Sequence, residues 1–341
     1  MKTNLPAKWI SVLFATALLA SCATQSRVAS DQSALPVWPS PPDQPRIAYV
    51  RSVHMPRDIG QSLSVFTRIG HWITGENSSS QALQKPFGLA VDESGNLCVT
   101  DTGSKLVCFL DFKNKKWRRY AAVGKTAFDS PVAVARHNGI FYVADSGLGE
   151  VLVFGNNGKP IFTITQPLLR PVGLAIAGDS LAVVDSQSHA VYVFDLSGKF
   201  LFKFGKRGTG PGEFNFPTHI SADSNSHWLV TDSLNARIQI FSKDGHFVSQ
   251  FGSSGDTSGH FGRPKGVAVD SSGHIYVADA VFDNVQIFDA TGQLLLNFGQ
   301  SGDGAGEFSL PNGIAIASDN TIYVADGYNH RVQIFKYLGG Q

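Results

Sequence analysis

Short apolar runs alternate with polar turns along most of the chain, and the alternation itself repeats. In the stretch RPKGVAVDSSGHIYVADAVFDNVQIF, which begins at Arg263, residues 266–269 are apolar, 275–278 are β-branched and aromatic, and 285–288 alternate. Residues 294–298 form a fourth run. Each run has the length and residue types of a strand. The Asp-Ser-Ser-Gly, Asp-rich and Ala-Thr-Gly stretches between them are turn signals. No segment beyond residue 60 keeps a 3.6-residue helical period without Gly or Pro. The unit recurs on Pro86, Pro131, Pro171, Pro217, Pro264 and Pro311, in steps of 45, 40, 46, 47 and 47 residues. Asp101, Asp145, Asp185, Asp232, Asp279 and Asp326 keep step with the prolines. Four antiparallel strands every 40–47 residues, with copies starting near 85, 130, 170, 216, 263 and 310, predict an all-β chain of propeller blades.

The last copy is one strand short. Residues 313–317, 321–325 and 331–335 supply three, and the sequence then stops. An unpaired edge would be left exposed. Arg46-Ile47-Ala48-Tyr49-Val50-Arg51 alternates just ahead of the first copy and is expected to supply the missing outer strand, closing the ring.

The pattern P-x-G-[IVL]-A-[VI]-D, G-x-[IL]-Y-V-A-D, N-x-R-[VI]-Q-[IV]-F resembles the NHL repeat over roughly residues 85–341, and the last copy reads Asn329-His330-Arg331. Copies four to six match closely. Copies two and three are degenerate: Ala133 replaces the glycine and Leu148-Gly149-Glu150 replaces the Asn-x-Arg stretch. The resemblance implies a six-bladed β-propeller, which the six copies fit.

The N-terminus reads as an address. Lys2 and Lys8 precede an apolar stretch over 9–20, too short to span a membrane comfortably and suited to a secretory signal. It ends in Leu19-Ala20-Ser21-Cys22, which resembles a bacterial lipobox. That resemblance implies cleavage after residue 21 and a diacylglycerol on Cys22; an ordinary signal peptide with a chance cysteine is the other reading. Ala23, rather than Asp, implies sorting to the outer membrane of a Gram-negative cell, facing the periplasm or the exterior. Residues 22–45, rich in Ser, Gln and Pro, read as a flexible tether ahead of a propeller over 46–341. The chain would be anchored to a membrane rather than spanning it.

Composition narrows the function. The 341 residues carry a net charge of +1, which becomes −1 once the leader and its two lysines are lost. That balance argues against a nucleic-acid partner. Cys98 and Cys108 fall in the second and third strands of the first blade. Pairing Val99 with Val107 sets them opposite one another, so a disulfide and two buried free thiols are both open.

The repeated Asp, at the start of a tight loop, is expected to accept backbone N–H groups rather than act in catalysis. The repeated Pro and Gly are expected to let inner strands approach closely. Gly208–Gly212 and Gly302–Gly306 resemble phosphate loops but precede no helix, and are expected to be turns between blades. A calcium site at Asp303 has only one carboxylate behind it.

Two positions after each repeat proline stand Gly88, Ala133, Gly173, His219, Gly266 and Gly313. Peptide-amidating lyases of related fold place zinc-binding histidines there. One histidine is too few for zinc, so neither metal nor cofactor is expected.

The loops before the inner strand and between strands two and three should share one face. That gathers Phe87, Arg170, Thr218, His219, Arg263, Lys265, Asn312 and Tyr328, with the loops near His189, Asn235 and Phe282. Aromatic, Arg and amide side chains together suit protein or glycan contact better than bond breaking. The expected function is a membrane-anchored binding or scaffold propeller. The alternative is a propeller lyase or lactone hydrolase with a metal in the channel.

Overall fold

The computed structural model describes residues 35–61, 81–165 and 167–339. The leader and Cys22 fall outside the described residues. Among those described, six antiparallel sheets form six blades of a β-propeller. The inner strands Pro86–Val91, Pro131–His137, Pro171–Ala177, Pro217–Ala222, Pro264–Val269 and Pro311–Ile316 each touch the next, and the sixth touches the first. Blades 1 and 4 therefore face each other across a central channel.

Blade 5 shows how the pattern becomes structure. Its strands, Pro264–Val269, Ile275–Asp279, Asn284–Phe288 and Leu294–Phe298, pair in sequence order. The two middle strands are almost wholly buried, because neighbouring blades cover both their faces. The apolar side chains form six clusters, one at each interface between adjacent blades. Burial of that apolar surface is the main force holding the ring together.

The glycine that stands two residues after the proline in blades 1, 3, 5 and 6 acts at this contact. A Cβ on Gly313 would strike the Phe87 carbonyl, and one on Gly88 would strike that of Val132. The contacts of blade 6 with blade 1 and of blade 1 with blade 2 therefore require Gly313 and Gly88 to carry no side chain.

The ring closes as the alternation predicts. Strand β2, Ile47–Val53, pairs antiparallel with Arg331–Tyr337, the third strand of blade 6. Ile47 and Val53 are fully buried there. Within the stretch 22–45 expected to be a tether, residues 37–38 are a strand instead. Strand β1, Val37–Trp38, adds a fifth strand outside β2, with Val37 opposite Ala48 and Trp38 opposite Ile47. The Trp38 ring lies 5.7 Å from Phe298 and 5.9 Å from Phe335. Proline-rich composition concealed a tryptophan with a defined seat.

Of the two open readings for Cys98 and Cys108 the structure has the free thiols, and the pairing of Val99 with Val107 is corrected. The loop over 102–105 sets Asp101 opposite Leu106, which pairs Val99 with Cys108 and Cys98 with Phe109. The register differs by one residue from the valine pairing. Side chains alternate across a strand, so the slip puts the two sulfurs on opposite faces of the sheet. Cys98 packs toward blade 2 and Cys108 toward blade 6, and both are free thiols. Burial pushes both thiol pKa values far up, that of Cys108 to about 12.

Candidate functional site

All six repeated aspartates are fully buried or nearly so and act as loop organisers. Asp145 accepts the backbone N–H groups of Asp129, Ser130, Gly147 and Leu148 at 2.8–3.1 Å. In blades 4 and 6 an arginine takes part of the work. Arg331 Nε donates to Asp326 at 2.7 Å, and its remaining N–H groups reach the carbonyls of Asp303, Gly304 and Glu307. Arg237 holds Asp232 and the Thr209–Glu213 turn in the same way. The glycine-rich segments are thus clamped turns between blades.

With those carboxylates consumed from behind, the channel mouth on the loop side is left to other chemistry. It opens into a cavity of about 500 Å³. Phe87, Arg170, Thr218, His219, Arg263 and Lys265, gathered by the sequence argument, all line it. Lys85 joins them as a fourth cation, and no Asp or Glu lines the cavity. Among the described residues none of these four cations enters an ion pair. The mouth at the other end is different. There Asp92 pairs with Arg136, and Glu93 pairs with His137 at 2.7 Å.

Three expected face residues have structural duties instead. Asn312 is buried and donates to the Leu310 carbonyl at 2.9 Å. His189 accepts the Phe216 N–H at 3.1 Å. Asn235 donates to Asp232 at 2.8 Å. Tyr328 is exposed beside the cavity, with the Lys85 ammonium 5.0 Å above its ring.

Two features escaped the sequence reading. The residue after the repeated Asp is Thr102, Ser146, Ser186 or Ser233 in blades 1 to 4, and all four line the cavity. Comparing the copies one position beyond the Asp would have found this hydroxyl row. The same loops also carry exposed Leu148, Leu169, Phe216, Leu234, Val281 and Leu310, so a cationic centre has an apolar rim.

His219 is the least ordinary member. It replaces the glycine of blades 1, 3, 5 and 6, and its ring stands near-parallel to Phe87 across the channel, with centroids 6.1 Å and planes 21° apart. The residue is partly exposed, yet neither ring nitrogen is accessible to solvent or hydrogen-bonded. Burial, and then the Lys265 charge, hold its pKa down to about 3. The same burial, and then Arg263, bring Lys265 down to about 8.

A stability test follows from His219. The unfolded chain takes up a proton there near pH 6.5, the folded chain only near 3. Folding stability should therefore fall as the pH drops from 6.5 towards 3, by at most about 1.4 kcal/mol per unit from this residue. Urea midpoints at pH 7 and 4.5 should separate less in His219→Gln than in wild type. Equal separations would mean that His219 is ordinarily hydrated.

Among the described residues no three His, Cys, Asp or Glu side chains converge as metal ligands. The channel mouth offers cations, hydroxyls and an uncharged imidazole: an arrangement for holding an anion, with no carboxylate at hand to act as a base.

Comparison with known proteins agrees on architecture. The NHL repeat family matches residues 261–288 and 308–335, which lie in blades 5 and 6. A family described as a 6-bladed β-propeller, DUF5128, matches residues 168–228. Among solved structures, a streptogramin B lyase is similar at 12% identity and TM-score 0.57, over 74% of this chain and 93% of that one. Virginiamycin B lyase from Staphylococcus aureus is similar at 13% identity and TM-score 0.55, over 74% and 95%. A protein of unknown function from Bacteroides thetaiotaomicron is similar at 16% identity and TM-score 0.58, over 75% and 70%. At these identities the likeness is one of fold: the chain is a six-bladed β-propeller that carries NHL repeats.

Proposed function

We propose that the chain is a binding propeller, held to the outer membrane by a lipid on Cys22, that docks an acidic protein through the channel face of its ring. The observation that carries this is the mouth itself: Lys85, Arg170, Arg263 and Lys265 stand together without an ion pair or a lining carboxylate, inside an apolar rim. Such a surface favours an oppositely charged partner in encounter and specificity. A lyase or lactone hydrolase is the weaker reading. It has lyases of similar fold behind it, but it needs metal donors or a general base at this mouth, and His219 has no carboxylate beside it.

Crosslinked capture from the envelope of cells making the full chain tests the proposal. Arg170→Ser with Arg263→Ser should cut capture about fivefold or more, and rising salt should weaken wild-type capture. Undiminished capture by the double variant would sink the assigned face. Cys22→Ala should release the protein from membranes, and a variant that still fractionates with them would refute the anchor.

A further inference from the structure

The neck of the channel, below the cationic mouth, has two unlike halves. One position after each repeat proline, blades 1, 2 and 3 present Phe87, Val132 and Val172, while blades 4 and 5 present Thr218 and Lys265. His219 adds its imidazole to the polar half. All six line the same cavity of about 500 Å³, enough for a small organic molecule. The polar half holds unused hydrogen-bonding capacity. Thr218 Oγ1 and both His219 nitrogens are buried and have no partner. Buried polar groups in folded proteins are overwhelmingly hydrogen-bonded, so three together call for an explanation.

We propose that this neck is a binding site for a small carboxylate with an apolar body, the carboxylate set against Thr218, His219 and Lys265 and the body against Phe87, Val132 and Val172. The inference goes beyond the docking surface: it shares Lys265 with that surface but rests on the unpartnered Thr218 and His219 and on the apolar half of the neck. A hydroxyl and a neutral imidazole each have one proton to donate, and an ammonium adds charge-assisted donors. Together they match the several lone pairs of one carboxylate. The apolar half sets the rest of the ligand: inorganic phosphate would leave Phe87, Val132 and Val172 facing water.

The groups facing Lys265 allow a pH test. Arg263 lies beside it, Arg170 and Lys85 line the same mouth, His219 lies on blade 4, and Asp279 behind it is occupied by backbone N–H groups. Lys265 loses its proton near pH 8. Carboxylate binding should weaken as the pH rises through that value, and the step should vanish in Lys265→Met.

Calorimetric titration of the full chain in detergent with octanoate, phenylacetate and N-acetylphenylalanine, each beside its uncharged amide, tests the site. At least one acid should bind at least about tenfold tighter than its amide, and Thr218→Val or Lys265→Met should each remove about tenfold of that affinity. Preference for N-acetylphenylalanine would identify the source as a chain terminus, and preference for the other two as a free organic acid; either supports the site. The proposal is overturned if no acid binds below about 10 mM, if amides bind as well as acids, if phosphate competes at equal concentration, or if both variants bind like wild type. Neither change touches His219, so the test does not depend on whether a His219 variant folds.

Discussion

Removing residues 35–53 should cost the protein its cooperative fold, and Trp38→Ala alone should lower stability by about 2–3 kcal/mol. The deletion strips β2 from Arg331–Tyr337 and leaves that strand as an open edge. It also removes the fully buried Ile47 and Val53, and Tyr49, whose ring lies 5.7 Å from Phe335. Each buried aliphatic side chain contributes about 2–5 kcal/mol by truncation, against a total stability of about 5–15 kcal/mol for a typical domain. Blade 6 is where Ile47–Val53 joins Arg331–Tyr337, so losing that strand opens the ring instead of merely shortening it. Trp38 acts on a smaller scale: its ring covers Phe298 and Phe335 and fills the space over Gly306, where a Cβ would strike it. Circular dichroism melts of both variants provide the measurement. A Trp38→Ala protein that melts with wild type would show that β1 is a loose flap and that closure resides in β2.

Asp326→Ala should destabilise by about 3–5 kcal/mol, the cost of leaving one member of a buried ion pair uncompensated. Asp326 is fully buried and Arg331 nearly so, and the carboxylate also accepts from the Ser309 N–H and the Gln333 amide. Without it the guanidinium stays buried among three carbonyls. Asp145→Ala, whose carboxylate serves backbone N–H groups and no arginine, should cost less, about 1–3 kcal/mol. Adding Arg331→Met to Asp326→Ala should recover part of the loss. If the two single variants lose the same stability, the arginine clamp adds nothing to the backbone bonds.

Blade number, strand order and the duty of the repeated Asp were legible because they depend on neighbours within one repeat. Period-two alternation, turn residues and an acceptor at a loop start act over a few residues. The same locality explains why the register at Cys98 and Cys108 differs from the valine pairing. Both candidate registers alternate equally well, and only the loop over 102–105 and the packing of blades 2 and 6 decide between them. Asn312 was assigned to the face because its place in the repeat is right; the Leu310 carbonyl turns its amide inward.

The sequence by itself determined a ring of six four-stranded blades, its closure by an N-terminal strand, and the loops that share one face. The tertiary structure decided what that face contains. Phe87, Val132, Val172, Thr218 and Lys265 stand a whole repeat apart in the chain, and no local pattern relates them. They form one amphipathic neck because each inner strand packs against the next until the sixth meets the first. The burial that leaves His219 uncharged and Lys265 easily deprotonated arises from that closure too, since desolvation depends on everything packed around a group, not on its neighbours in sequence.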